Sequence, residues 1–122
     1  MQKLLLQLGG VLGVLSVAIG AFGAHGLKNY LTKTERLDVF ETAVKYQFYH
    51  TFAIIIVAVL MNNFDNKLLT YSGFAFAAGI VLFSGSLYAL IGTQITKFGA
   101  ITPLGGLFFI AGWVLIVMAV SK

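Results

Sequence analysis

The sequence is short of charge and has no cysteine, and each shortage excludes a class of protein. Only 10% of the 122 residues are charged, against roughly 25% in a typical soluble domain. A soluble domain of this size would expose too much apolar surface to stay dispersed in water. Disorder is excluded because 59% of the residues are hydrophobic. The absence of cysteine excludes disulfide frameworks, thiolate nucleophiles and iron–sulfur clusters.

The few charged residues are concentrated in one part of the chain. Seven of the twelve charged side chains lie between residues 28 and 45, and the others are isolated along the sequence. The net charge of +4 is too scattered to form a nucleic-acid-binding patch, so we expect no nucleic-acid partner. Basic residues placed in this way are typical anchors at a membrane surface.

Four charge-free apolar runs are long enough to cross a bilayer, which takes about 20 residues. The first run exceeds the roughly 7–15 residues of a signal-peptide core, so we expect it to remain as a span. The sequence predicts an all-α integral membrane four-helix bundle in a single domain, surrounded by the lipid bilayer. The predicted spans are 4–24, 46–61, 68–91 and 103–121, with a charged, partly amphipathic loop at 25–45.

The segments between the spans contain helix-start and turn signals. Thr32 and Glu35 fit a capping box, which predicts that the second helix begins near Lys33. The polar stretch 62–66 predicts a tight turn between spans two and three. Thr102 is expected to be an N-cap, with Pro103 at the first helical position. The connection 92–102 is expected to be either re-entrant or interfacial.

The distribution of basic residues predicts an orientation. Four spans place both termini on one side of the membrane, together with the second loop. Loops one and three carry five basic residues against three on the side of the termini, so the positive-inside rule places these loops in the cytoplasm and the termini outside. The five are Lys28, Lys33, Arg36, Lys45 and Lys97, and the three are Lys3, Lys67 and Lys122.

Small residues recur at helical spacing in three of the spans. Helices inside lipid associate through close packing of such residues rather than through the hydrophobic effect. We interpret these rows of small residues mainly as packing surfaces within the bundle. The alternative is that one row forms the contact between copies in a homo-oligomer. The packing glycines are Gly9, Gly13, Gly20, Gly23, Gly79, Gly105 and Gly112.

Several polar side chains lie close to the membrane face that carries loop one. Polar groups at membrane depth are uncommon and need partners. The main interpretation is a structural hydrogen-bond network, and the alternatives are a small-ligand or proton-handling site and metal or haem ligation. The predicted cluster contains His25, Gln47, His50, Ser84, Ser86 and Tyr88.

The sequence contains none of the residue patterns that carry catalysis or hold a cofactor. No nucleophile–base pair, phosphate-binding loop or metal motif is present. No carboxylate lies within a predicted span, which argues against an ion-coupled transporter. We therefore expect a protein that is not an enzyme and that needs no cofactor or metal.

Four short motifs together resemble one known family. They are Gly20–Leu27 (GAFGAHGL), Thr42–His50 (TAVKYQFYH), Phe83–Tyr88 (FSGSLY) and Ile101–Gly106 (ITPLGG). In this order they are similar to the small bacterial inner-membrane family called domain of unknown function 423, whose eukaryotic relatives are called transmembrane protein 256. The resemblance covers essentially the whole chain and implies a four-span membrane protein, but it implies no particular activity.

The sequence favours two functional classes. The first is a structural or accessory membrane protein that binds to itself or to a larger membrane complex. Its docking face would be the charged start of span two, with Glu35, Arg36, Asp38 and Glu41. The second class is a small channel, carrier or proton-handling protein that uses the polar cluster. Haem or quinone binding is a third alternative.

Overall fold

The computed structural model describes residues 1–121, so the predicted anchor Lys122 lies outside the described residues. The described chain is all-α, as predicted, and forms a helical bundle. Four segments are long and apolar enough to cross a membrane; they are α1, α3, α4, and the 3₁₀ helix together with α5. The helices are α1 Gln2–His25, α2 Lys28–Lys33, α3 Leu37–Leu60, α4 Lys67–Thr93, the 3₁₀ helix Thr96–Ala100, and α5 Thr102–Val120.

The long helices pack in the order α1, α3, α4, α5. The largest contact joins α4 to α5, the next joins α3 to α4, and α1 packs mainly on α3. Leu5, Ile54, Phe76 and Phe109 are buried in the main apolar core, which joins all four long helices. A smaller core around Phe40 lies at the other end of the bundle, beneath α2.

The second long helix begins at Leu37 rather than near Lys33, so the predicted capping box is wrong. Thr32 lies inside the short helix α2, where its hydroxyl donates to the Lys28 carbonyl at 2.8 Å. Glu35 has φ 58°, a left-handed conformation that ends a helix. The Glu35 and Arg36 amides then donate to the Thr32 and Leu31 carbonyls, which is the Schellman pattern.

The last connection is partly helical. It contains the 3₁₀ helix Thr96–Ala100, none of whose residues is buried. Helix α5 begins at Thr102, with Ile101 rather than Thr102 at the N-cap position. This differs by one residue from the sequence-based expectation, and helix ends commonly shift by that amount between criteria. The turn before α4 ends at Asn66, whose side chain accepts from the Leu68 amide at 2.9 Å.

The glycines of α1 face α3. A Cβ added at Gly9 would overlap Ile55, and one at Gly23 would overlap Phe40. The space at Gly20 and Gly13 is less restricted: the nearest atoms are 3.4 Å away on Val44 and 3.9 Å away on Thr51. This row of glycines therefore lies in the α1–α3 contact, and the two helices approach each other most closely at its two ends, Gly9 and Gly23.

The glycines of α4 and α5 mark the closest helix contact in the bundle. A Cβ at Gly105 would meet backbone atoms of Phe83, with the Phe83 Cα only 2.7 Å away. A Cβ at Gly79 would overlap the Phe109 ring, and one at Gly112 would overlap the Phe76 ring. Each glycine thus leaves the space that an aromatic ring or the neighbouring backbone fills.

Candidate functional site

Gln47 and Tyr88 form one polar pair between α3 and α4. The Tyr88 hydroxyl donates to Gln47 Oε1 at 2.6 Å. Gln47 Nε2 in turn donates to the Leu12 carbonyl at 3.4 Å. Gln47 is buried, so these two bonds supply partners that it cannot obtain from water. The pair ties α4 to α3 and α3 to α1.

His50 forms a separate group with aromatic residues of α5. Its Nδ1 lies 2.8 Å from the Tyr46 carbonyl, and its Nε2 accepts from the Trp113 indole N–H at 3.2 Å. A carbonyl only accepts, so Nδ1 carries the proton and Nε2 carries the lone pair. The imidazole also stacks on Phe109, with 3.5 Å between ring centroids and 7° between planes. Both nitrogens of this neutral ring are occupied.

The two serines bond to different helices. Ser84 Oγ donates to the Ala43 carbonyl of α3 at 2.6 Å. Ser86 Oγ lies 2.7 Å from Thr102 Oγ1 at the start of α5, and also donates to the Phe83 carbonyl at 2.9 Å. Thus each serine fastens α4 to a neighbour, and the two do not converge on a common point.

His25 does not join the polar cluster. It is exposed at the end of α1, whereas His50 is buried. The antiparallel α1–α3 register sets Gly9 against Ile55 and Gly20 against Val44, which places His50 level with residue 14. His25 is 11 residues further along α1, a separation of about 16 Å along the bundle. The two histidines therefore cannot ligate one haem iron from opposite sides.

The predicted docking residues lie at the start of α3. Glu35, Asp38 and Glu41 are exposed. Arg36 is only partly exposed, and its Nε donates to Gln94 Oε1 at 3.0 Å. The three carboxylates are therefore exposed, whereas the Arg36 guanidinium is bonded to Gln94, the residue that caps α4.

A polar contact between α2 and the end of α4 was missing from the sequence-based prediction. The Tyr30 hydroxyl donates to the Ile91 carbonyl at 2.7 Å, and Gln94 Nε2 donates to the Tyr30 hydroxyl at 3.1 Å. Gln94 has φ 59° and caps α4 in the left-handed conformation. Tyr30 and Gln94 are 64 residues apart in sequence, so no local pattern predicts their meeting.

The described residues contain little that could hold a metal or a polar ligand. Within residues 1–121, no three His, Cys, Asp or Glu side chains are placed to bind a metal ion. The Thr51 hydroxyl is the single buried side-chain oxygen or nitrogen in that range without a hydrogen-bond partner. Gln47, His50, Ser84 and Ser86 thus each have a hydrogen-bond partner within the chain.

The fold and its internal polar network define a small helical membrane protein with four candidate spans. A family model described as "protein of unknown function (DUF423)" matches residues 19–106. The chain belongs to this family, and the resemblance in its four motifs is thereby confirmed.

Relatives match along the whole chain. A UPF0382 membrane protein of Bacillus subtilis, YwdK, is 46% identical over 122 residues, covering 99% of this chain and 98% of the relative. A UPF0382 membrane protein of Staphylococcus haemolyticus is 44% identical over 121 residues, with the same coverage. No solved structure matches the chain.

Proposed function

We propose that this membrane protein is a structural or accessory subunit of the bacterial inner membrane and that it is not an enzyme. The observation that supports this is the use of its buried polar groups. Gln47, His50, Ser84 and Ser86 all make hydrogen bonds within the chain. Such bonds hold helices together in lipid and leave these groups little capacity to bind or pass a substrate.

The proposed docking face consists of the exposed carboxylates Glu35, Asp38 and Glu41. They lie at the end of the bundle where α3 begins, and Asp38 and Glu41 are on the exposed side of its first turns, opposite the buried Phe40 and Ala43. The face is acidic, so the partner, either a second copy or a larger membrane complex, would present basic side chains. Complementary charge of this kind sets the encounter rate and the specificity of binding.

The test is the mass of the native complex after mild extraction. The wild-type chain is expected to migrate as an assembly larger than its own 13.1 kDa plus detergent. The triple variant Glu35→Lys, Asp38→Lys, Glu41→Lys should release the free subunit. Asp65→Lys, at the opposite end of the bundle, is the matched control. An assembly that survives the triple variant would contradict this docking face.

The proposed orientation has loops one and three in the cytoplasm. The cysteine-free sequence allows single cysteines to be introduced without removing others. In intact cells, a membrane-impermeant maleimide should label Asn63→Cys in the second loop and leave Asn29→Cys in α2 unlabelled until the cells are opened. The reverse pattern would overturn the orientation and leave the proposal of an accessory subunit untouched.

The alternative function, a small channel, carrier or proton-handling protein, has less support. The imidazole of His50 is neutral in this arrangement and both nitrogens are occupied, and His25 lies about 16 Å further along the bundle. Proton flux in liposomes that requires His50 but not His25 would favour this alternative. The accessory role predicts no flux for either variant or for the wild type.

A further inference from the structure

A deep apolar groove opens between α1 and α4 at the α2 end of the bundle. Its volume is about 590 Å³, within the roughly 300–1,000 Å³ range of small-molecule sites. Ala18 and Phe22 form one wall, Tyr88 and Gly92 form the other, and Phe40 of α3 forms the floor. The groove exists because α1 packs on α3 and meets α4 only towards its own N-terminus, where Leu5 fits against Gly73.

The groove is confined to the end of the bundle where α2 lies. On α1 its lining runs from Ala18 to Phe22, about 6 Å of helix, and Leu27, in the segment that joins α1 to α2, continues it. Tyr30 of α2 lines its water-facing end. The Leu5–Gly73 contact closes the gap between α1 and α4 near the other end of the bundle, 13 residues or about 20 Å along α1 from Ala18. The groove therefore lies at one end of the spans, near a membrane surface.

Basic residues lie at the water-facing end of the groove. Lys28 directly follows the lining residue Leu27 and is exposed. Arg36 is fixed near the lining residue Tyr30, because both bond to Gln94. Of the carboxylates, Glu41 lines a different groove on the opposite side of the α1–α3 contact, and Glu35 is at the far end of α2 from Lys28.

We propose that this groove is a binding site for one anionic phospholipid from the leaflet in which α2 lies. One acyl chain occupies the groove against Phe40 and Tyr88, and the phosphate lies beside Lys28. Basic side chains near a membrane surface attract anionic lipids, and the apolar walls supply contacts that any acyl chain makes. The site is distinct from the proposed docking face, because Glu35, Asp38 and Glu41 are not among the residues that line the groove.

The test measures retained lipid on the intact protein by native mass spectrometry. Phosphatidylglycerol and phosphatidylcholine with identical acyl chains are added to delipidated protein in detergent. The wild type should bind one phosphatidylglycerol in preference to phosphatidylcholine. Lys28→Gln should weaken phosphatidylglycerol binding about fivefold, which is the contribution of one basic residue at a membrane surface, and Lys67→Gln at the other end should leave it unchanged.

A second pair of variants tests the groove itself. An added side chain at Gly92 meets nothing within 4 Å, so Gly92→Leu should fill the groove without disturbing the helices and should abolish the bound lipid. Gly10→Leu is the matched control, because that glycine is equally unobstructed but lies outside the groove. Ala18→Leu fills the groove from the other wall if Gly92→Leu fails to fold.

The outcomes separate clearly. Loss of the lipid in a folded groove variant, together with preference for phosphatidylglycerol, supports the proposal. Equal binding of the two lipids overturns the anionic site even if the groove variants lose both. Unchanged binding in Gly92→Leu and Ala18→Leu places the lipid elsewhere and also overturns it.

Discussion

At the scale of single residues, the buried polar side chains act as helix fasteners. Gln47 is almost fully buried, and its carbonyl oxygen depends on the Tyr88 hydroxyl. The His50 ring uses one nitrogen on its own helix and the other on Trp113 of α5. Hydrogen bonds between membrane helices are individually modest, so several of them, on different helix pairs, are needed to specify the arrangement.

Removing the Tyr88 hydroxyl tests this role. Tyr88→Phe should lower the free energy of unfolding by about 1 kcal/mol, because Gln47 loses its interhelical donor in lipid. Stability is measured by unfolding in mixed micelles. Tyr71→Phe is the matched control, since Tyr71 is 55% exposed and the same atom is removed. Equal effects of the two variants would show that the Tyr88–Gln47 bond contributes nothing.

A second prediction at the residue scale concerns Glu35. Its left-handed backbone costs a residue with a side chain roughly 1–2 kcal/mol relative to glycine. Glycine also loses more freedom on folding, by roughly 0.5–1 kcal/mol, so Glu35→Gly should leave stability equal or raise it by up to about 1 kcal/mol. The same change at Glu41, inside α3, should lower stability by about 1 kcal/mol. Thermal unfolding of both variants provides the comparison, and a destabilised Glu35→Gly protein would contradict the Schellman ending of α2.

At the scale of elements, the closest contact between helix backbones joins α4 and α5. Small residues let membrane helices approach closely, and Gly105 lies directly against the backbone of Phe83. Helix α1 is different, because it packs mainly on α3 and much of its surface is exposed. The short helix α2 is held to α4 by the Tyr30 and Gln94 bonds, and the left-handed Glu35 ends it before α3 begins.

Neighbouring glycines in α5 provide a matched test of the close contact. Gly105→Ala should destabilise the protein by roughly 1–3 kcal/mol, because its Cβ cannot enter without moving the Phe83 backbone. Gly106→Ala meets nothing within 4 Å, so it should be neutral or stabilising by up to about 1 kcal/mol through helix propensity. Unfolding in mixed micelles distinguishes the two, and equal stability of the variants would contradict the α4–α5 geometry.

At the scale of the whole molecule, the helices form a bundle with a wedge-shaped gap. Helices α1 and α4 touch where Leu5 fits against Gly73 and are separated by the groove at the other end. The gap is bounded by α2 at the membrane surface. Two accessible features of the described residues, the groove and the acidic face, therefore lie beside α2.

Cysteine cross-linking should detect this wedge. In the cysteine-free background, Leu5→Cys with Gly73→Cys should form a disulfide under mild oxidation, since a Cβ added at Gly73 would lie 3.4 Å from the Leu5 Cγ. Ala18→Cys with Gly92→Cys, on opposite walls of the groove, should not, because a disulfide needs Cβ atoms about 3.5–4.5 Å apart. After the chain is cleaved between the spans, only fragments joined by a disulfide stay together, and they migrate more slowly on a gel. Efficient bridging of the second pair would show that the groove closes.

Much of the architecture was predictable because membrane insertion is governed by composition. A run of about 20 apolar residues with few charges forms a helix, since lipid offers no other partner to the backbone. The candidate site was less predictable. Gln47 and Tyr88 meet, but His25 lies elsewhere, because His25 ends α1 whereas His50 is 13 residues into α3. The predicted span began at residue 46, which placed His50 too close to the membrane face.

The amino-acid sequence alone determined that this is an all-α membrane protein, that its family is DUF423, and that four of its segments are long and apolar enough to span a membrane. These properties depend on local composition and on motifs read along the chain. Only the tertiary structure decided which polar groups pair, that Tyr30 and Gln94 join α2 to α4, and that a groove opens between α1 and α4. Contacts between residues 40 or more positions apart depend on helix register and crossing, which no local pattern encodes.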